Sequence, residues 1–141
     1  GTYAVADIGH VVRLPVSLSF SEAATLPFVF MTAHYALQTC AKLRAGETVL
    51  IHAAAGGVGM AALQLARSVG ATVIATAGSE HKRQFLREQG VEHVFDSRST
   101  SFVSEVMRVT GNRGVDVALN ALAGEFIPAT AACLTPTGRF L

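Results

Sequence analysis

From residue 48 onward, the spacing of apolar residues alternates several times between the two-residue period of a strand and the 3.6-residue period of a helix. Short β-branched runs are followed by amphipathic runs, and three of these amphipathic runs end at a glycine: Gly70, Gly90 and Gly111. The pattern predicts strands at 48–52, 72–76, 94–95, 115–120 and from 139, and helices at 57–69, 79–89, 102–109 and 126–134. Alternating strands and helices of this length predict an α/β fold, a doubly wound parallel sheet of Rossmann type.

The first third of the chain has a different pattern. It predicts two short strands, at 3–5 and 11–14, and then a helix capped by Ser19 or Ser21. Pro27 is expected to interrupt that helix, because proline removes a helical hydrogen bond and clashes with the preceding turn. A second, apolar helix is predicted at 29–42, followed by a turn at 44–47.

Composition narrows the function classes. The 141 residues suffice for one domain, half of them are hydrophobic, and the net charge is +1 without a basic stripe, which argues against nucleic-acid binding. No apolar run predicts a membrane span or a signal peptide, so we expect a cytoplasmic protein without a membrane partner. Cys40 and Cys133 lack neighbours at metal-ligand spacing and are expected to be reduced, buried thiols, with no metal site. Because the chain starts at Gly1 and ends in an apolar run, we interpret it as an excerpt of a longer protein.

Three glycines mark the junction between the first Rossmann-type strand and its helix. The stretch HAAAGGVG places Gly56, Gly57 and Gly59 at the predicted helix start, with Ala54 where the G-x-G-x-x-G pattern has its first glycine. Free amides and the peptide dipoles at such a start attract a pyrophosphate if no Cβ keeps it away. A turn that serves packing alone is the weaker alternative. The ATP-binding loop with a lysine after its glycines is absent.

The end of the second strand, TVIATAGSEHKR, indicates which dinucleotide is preferred. Ala77 and Gly78 stand where NAD-binding folds usually carry an acid for the ribose hydroxyls. Ser79, Lys82 and Arg83 follow, and Ser97-Arg98 comes after the third strand. An acid beside a 2′-phosphate would be repelled by about 4 kcal/mol at close range, whereas a lysine attracts it. The pattern therefore predicts NADP, the alternative being that Lys82 and Arg83 form a solvated helix face.

Several longer motifs resemble one family. The runs LRAGETVLIHAAAGGVGMAALQLA, ATVIATAGSEHKR, FDSRSTSF and GVDVALNALAGEF are similar to the medium-chain dehydrogenase/reductase superfamily. Within it, the chain most resembles enoyl reductase domains of polyketide synthases and animal-type fatty acid synthases. The upstream AATLPFVFMTAHYAL resembles the helix that crosses between the substrate and cofactor domains of those enzymes.

The resemblance implies a domain division and an activity. Residues 1–20 would be the end of a GroES-like substrate domain with its crossover, and residues 21–141 an NADP-binding domain truncated at its C-terminus. The implied reaction is the NADPH-dependent, zinc-independent reduction of a trans-2-enoyl thioester on an acyl carrier domain, beside neighbouring synthase domains. Two alternatives stay open: a free-standing quinone oxidoreductase or 2-alkenal reductase of the same superfamily, and a non-catalytic nucleotide-binding relative.

The resemblance also implies cofactor-binding residues. They are Thr32, Ala55, Gly56, Gly57, Val58, Gly59, Ser79, Lys82, Ser97, Arg98, Asn120 and Leu122, with Ala121 where many relatives have serine. A lysine that is often proposed as proton donor would fall just past Leu141, so no catalytic residue is assigned. His34, His52, His81 and His93 are interpreted as structural, the last two as exposed.

Overall fold

The computed structural model describes residues 3–141, and from residue 48 onward it is built of alternating strands and helices. The strands are β1 (Thr48–Ile51), β2 (Thr72–Ala77), β3 (His93–Asp96), β4 (Val115–Leu119) and β5 (Leu134–Phe140), and the helices are α1 (Phe20–His34), α2 (Gly57–Val69), α3 (Glu80–Glu88), α4 (Phe102–Val109) and α5 (Phe126–Ala132). The strands form one parallel sheet in the order β3-β2-β1-β4-β5. The predicted doubly wound α/β fold is therefore confirmed, and the chain reverses its direction of travel across the sheet between β1 and β4.

The core lies on both faces of the sheet. Val49 and Ile51 of β1 belong to the cluster that includes the buried face of α2, whereas Leu50 belongs to the opposite cluster with Phe102 and Val106 of α4. Val49, Leu50 and Ile51 are all buried on one face of the sheet or the other, which explains why β1 reads as a continuous apolar run after Thr48.

Helix α1 is capped by Ser19, one of the two serines that the sequence offered as its cap. The Ser19 hydroxyl accepts the N–H of Glu22, and the Glu22 carboxylate accepts the N–H of Ser19, a complete capping box. The predicted break at Pro27 is wrong, because α1 runs through Pro27 to His34 and continues as a π-helical segment, Tyr35–Cys40. The carbonyl that Pro27 leaves without a helical donor belongs to Ala23, a partly exposed residue.

The strands predicted at 3–5 and 11–14 are also wrong. Residues 3–18 contain one short 3₁₀ turn, Ile8–His10, and no strand. A strand is stable only when it pairs with another, and all five strands of the described sheet come from residue 48 onward. Most apolar side chains of this segment, Val5 and Val16 among them, are consequently exposed.

Smaller differences concern the two cysteines and the end of the chain. Cys40 is exposed, which corrects its predicted burial, while Cys133 is buried; both are free thiols, and burial raises the pKa of Cys133 to about 11. Strand β5 begins at Leu134 rather than Arg139, and Pro128 occupies the first turn of α5, where proline is tolerated. None of the helices in residues 3–141 has the length and apolar character that a membrane span requires.

Two carboxylates near the amino ends of β1 and β4 are paired with arginines. The guanidinium of Arg139 meets both carboxylate oxygens of Glu47 at 2.9 and 2.7 Å, and its Nε donates to the carbonyl of Ala41 at 3.0 Å. Arg113 holds Asp116 in the same bidentate way at 2.8 and 2.9 Å. The arginines lower the pKa of both carboxyl groups, so each pair stays charged at neutral pH.

Candidate functional site

Two adjoining cavities lie at the carboxyl ends of the strands, where ligands bind in open α/β sheets. Ala53 and Gly56 line both of them. The smaller, about 120 Å³, is completed by Ala55, Ala77, Gly78, Lys82 and Ser97. The larger, about 350 Å³, is completed by Thr32, His52, Gly57, Val58, Gly59, Leu119, Asn120 and Ala121. The fold thus brings most of the predicted cofactor-binding residues to one groove.

The start of α2 forms the floor of this groove. Gly56 is the N-cap residue in an extended conformation, and it has no side chain with which to cap the following amides. The first-turn amides of Gly57, Val58 and Gly59 therefore lie at the positive end of the helix dipole, and no side chain caps them. An anionic group fits this position on both counts.

Two of the glycines also have packing roles. A Cβ on Gly59 would lie 2.5 Å from the Cα of Ala54 and 2.6 Å from the carbonyl oxygen of Ala53, a clash with the backbone. A Cβ on Gly57 would lie 2.9 Å from Cγ1 of Val29, so its absence lets α1 pack closely. Packing alone accounts for Gly59, but it does not account for the uncapped amides that face the groove.

The smaller cavity gathers the predicted phosphate-binding residues around Gly78. A Cβ on Gly78 would lie 3.2 Å from Nε of Arg98 and 3.4 Å from Oγ of Ser97, so these two side chains occupy the space that a larger residue would need. Lys82 lines the same cavity, and Ser79 caps α3 by accepting the N–H of Lys82 at 3.4 Å. Within residues 3–141, neither Lys82 nor the Arg98 guanidinium forms a salt bridge with a carboxylate. The corner therefore offers cations that fit a phosphate.

Arg83 differs from both roles considered for it. Its side chain is 15% exposed, so it is not part of a solvated helix face, and it does not line the cavity. It donates to the carbonyl of Ala77 at 3.0 Å and pairs with Glu80 at 2.9 Å and with Asp96 at 3.3 Å. Sequence reasoning missed Asp96 because a lone carboxylate after a short strand carries no signal of its own.

The far end of the larger cavity is lined by Thr32, Asn120 and Ala121. The Thr32 hydroxyl donates to the carbonyl of Phe28 at 2.8 Å, which leaves its lone pairs free to accept. The Asn120 side chain donates to the carbonyl of Leu122 at 2.8 Å and accepts the N–H of Leu122 at 3.1 Å. Leu122 lines neither cavity; its backbone and the Asn120 amide close a turn that shapes the rim.

His52 lies beneath the groove and is 2% exposed. The Thr130 hydroxyl donates to the carbonyl of Phe126, so it accepts from Nε2 of His52 at 2.9 Å. Nδ1 of His52 then accepts from the Thr76 hydroxyl at 2.7 Å. Burial lowers the pKa of His52 to about 4, and the neutral ring links β1, β2 and α5. This geometry confirms its interpretation as a structural histidine.

The remaining histidines lie apart from the groove. His34 and His81 are exposed, whereas His93 is half-buried and stacks on Phe95 with ring centroids 6.4 Å apart, which corrects its predicted exposure. Ala53 is a contributor that sequence reasoning missed: its φ of 49° turns the loop between β1 and α2 although alanine rarely adopts that conformation. Within residues 3–141, His, Cys, Asp and Glu side chains form no group of three that could hold a metal ion.

Comparison with known proteins agrees with this geometry. Residues 57–141 match the family model described as zinc-binding dehydrogenase. The whole chain is 51% identical to a segment of the reducing polyketide synthase hmp8 of Hypomyces subiculosus, and it spans 6% of that protein's length. The chain belongs to the medium-chain dehydrogenase/reductase superfamily, among the enoyl reductase domains of polyketide synthases.

Solved structures of such domains share the fold. The CurK enoyl reductase matches 96% of this chain with a TM-score of 0.93 and 53% identity, and the match covers 40% of the CurK chain. The nucleotide-binding subdomain of the PpsC enoyl reductase domain from Mycobacterium tuberculosis matches 80% of this chain, and 63% of its own length, with a TM-score of 0.78 and 49% identity. The chain thus corresponds to the nucleotide-binding part of a larger enoyl reductase domain.

Proposed function

We propose that this chain is the cofactor-binding part of a polyketide synthase enoyl reductase that uses NADPH to reduce a trans-2-enoyl thioester on an acyl carrier domain. The observation that carries the proposal is the groove at the carboxyl ends of the strands. There an uncapped helix start adjoins Lys82 and Arg98, which form no salt bridge with a carboxylate of residues 3–141. Relatives that are polyketide synthases support the neighbouring synthase domains as partners. A cytoplasmic setting is a further part of the proposal. The division at residue 20 into substrate and cofactor domains remains a prediction.

The α2 start is assigned to the pyrophosphate. Gly56 allows a close approach to the backbone, and the amides of Gly57, Val58 and Gly59 donate to the phosphate oxygens, with Ala55 on the wall beside them. These donors are held in place before binding because Gly59 packs directly against Ala54. Little reorganisation is therefore needed to bind the anion.

The corner around Gly78 is assigned to the 2′-phosphate. Lys82 and Arg98 provide positive charge, and the hydroxyls of Ser79 and Ser97 lie beside them. A charge-assisted hydrogen bond to phosphate contributes roughly 1.5–3 kcal/mol, and NADH lacks this phosphate. This difference supports NADPH over NADH.

The rim formed by Thr32, Asn120, Ala121 and Leu122 is assigned to the nicotinamide ribose and carboxamide. When bound, NADPH supplies the hydride for the β-carbon of the enoyl group, while the α-carbon takes a proton. The residues of this chain bind and orient the cofactor, and none of them is assigned as the proton donor. Zinc independence is a further part of the proposal, to be tested by metal analysis of the purified domain.

The test is a fluorescence titration of the complete enoyl reductase domain with NADPH and with NADH. We expect tighter binding of NADPH, and Lys82→Ala should weaken it about tenfold while leaving NADH binding within about twofold. Arg108→Ala is the matched control, since it removes an exposed cation from the last turn of α4. Tighter binding of NADH, or no binding of either nucleotide, would contradict the proposal.

A further inference from the structure

Asp96 brings a carboxylate to the corner that is assigned to a phosphate. It is the last residue of β3 and pairs in register with Ala77 of β2, the residue before Gly78. Its Oδ1 accepts the N–H of Arg98 at 2.9 Å, which closes the turn that carries Ser97 and Arg98 over Gly78. The carboxylate therefore has a structural task that places its negative charge next to the phosphate ligands.

Arg83 is the partner of this carboxylate. It forms the one salt bridge that Asp96 makes within residues 3–141, at 3.3 Å, and the same nitrogen donates to the carbonyl of Ala77 at 3.0 Å. That carbonyl also accepts the N–H of Ser97 at 3.3 Å. Arg83 thus ties the ends of β2 and β3 together and neutralises Asp96 at the same time.

Glu80 does not need Arg83 in the same way. Its carboxylate also meets the guanidinium of Arg87 at 2.8 Å, and its side chain is 68% exposed, so water and Arg87 screen it when Arg83 is absent. Asp96 is 41% exposed and has no second arginine among the described residues. Loss of Arg83 would therefore leave Asp96, rather than Glu80, as the uncompensated charge.

We infer that Arg83 is a positioning residue that sets the preference for NADPH by neutralising Asp96, without touching the 2′-phosphate itself. The turn from Asp96 to Arg98 needs an acceptor at position 96, and a carboxylate supplies it. An unopposed carboxylate would repel the phosphate that Lys82 and Arg98 attract. This inference rests on the proposed use of NADPH and adds a residue that lines no part of the cavity.

The experiment is a double-mutant cycle on the complete domain, read by fluorescence titration with NADPH and NADH. Arg83→Gln should weaken NADPH binding about tenfold and leave NADH binding within about twofold, because the uncovered charge acts on the 2′-phosphate. Asp96→Asn keeps the acceptor for Arg98 and removes the charge, so alone it should leave NADPH binding unchanged or tighter. In the double variant, the loss should shrink to about threefold or less.

Arg83→Lys is the matched variant for folding. It keeps the positive charge and loses the planar guanidinium, so it should retain most of the affinity for NADPH. Thermal melting checks that each variant is folded. Salt gives a second readout, since the defect of Arg83→Gln should change with ionic strength if it is electrostatic.

The outcomes separate this inference from the proposed function. Equal losses for NADPH and NADH in Arg83→Gln, or no recovery when Asp96→Asn is added, would overturn the role of Arg83 while the wild-type protein still preferred NADPH. A wild-type protein that prefers NADH would instead overturn the proposed function. If Arg83→Gln fails to fold, Arg83→Lys decides: a large loss of NADPH affinity in that folded variant would show that charge neutralisation is not the role.

Discussion

The two ends of the parallel sheet differ in how their charged side chains are paired. Near the amino ends of β1 and β4, Glu47 and Asp116 are each held by an arginine through two hydrogen bonds. At the carboxyl ends, α2 begins without a capping side chain, and Lys82 forms no salt bridge within the described residues 3–141. The carboxylates at the first end are thus neutralised by arginine, whereas the second end has two cations, Lys82 and Arg98, that no carboxylate of residues 3–141 neutralises. The difference indicates that the end of the sheet proposed to bind the ligand can be recognised by its positive groups that no carboxylate of the described residues neutralises.

Gly59→Ala should have the largest effect on stability. The added Cβ would lie 2.5 Å from the Cα of Ala54, so the helix must move away from the strand end, at a cost of about 3 kcal/mol. Urea denaturation measures this change. Gly57→Ala is the control, because its Cβ meets only a methyl group of Val29, and it should lose clearly less stability. Equal losses would mean that the close approach at Gly59 does not constrain the loop.

Gly78→Asp would add a carboxylate without an arginine partner of its own to the corner around Gly78. The new side chain would displace or pair with Arg98, whose Nε lies 3.2 Å from the Cβ position. We expect NADPH binding to weaken about 50-fold, or roughly 2.3 kcal/mol, with NADH binding unchanged or tighter. Titration with both nucleotides measures the switch, and Gly78→Ala controls for bulk. A variant that still prefers NADPH would show that this corner does not select the nucleotide.

Glu47→Gln would remove the carboxylate that pairs with Arg139 just before β1. Losing the carboxylate that Arg139 holds should cost about 2 kcal/mol of stability with no effect on the NADPH-to-NADH preference. Arg139 lowers the pKa of Glu47, so the stability that this pair provides is present above pH 4.5 and is lost as the pH falls through the lowered value. Denaturation at pH 7 and pH 3.5 checks both statements. Arg87→Gln breaks an exposed pair and should leave stability nearly unchanged.

His52 should give the smallest effect, in a separate pH window. Its pKa is lowered from 6.5 to about 4, so the neutral ring contributes stability that is present above pH 6.5 and is lost as the pH falls toward 4. Between pH 7 and pH 5.5, the loss should be about 1 kcal/mol. His52→Gln should be less stable at pH 7 and should lack this part of the slope. An unchanged slope in that variant would assign the titration to another group.

Local patterns predicted much of this fold. The bounds of α2 and α4, the cap at Ser79 and the glycine at position 70 all follow from neighbouring residues, which also limited the cap of α1 to Ser19 or Ser21. Helical periodicity and capping act over four or five residues, which is why one sequence suffices to read them. The order of strands and helices then restricted the topology to a parallel sheet, and the site had to lie at its carboxyl end.

Other features depended on contacts between distant segments. The failed strands at 3–5 and 11–14 had a strand-like pattern but no partner in the described chain, and Pro27 was accommodated inside α1. His52 is satisfied by Thr76 and Thr130, and Arg83 meets Asp96 across two strand ends. The sequence by itself determined the elements and the kind of site. Only the tertiary structure decided which charges are neutralised there, because Coulomb interactions depend on distance in space and not on separation along the chain.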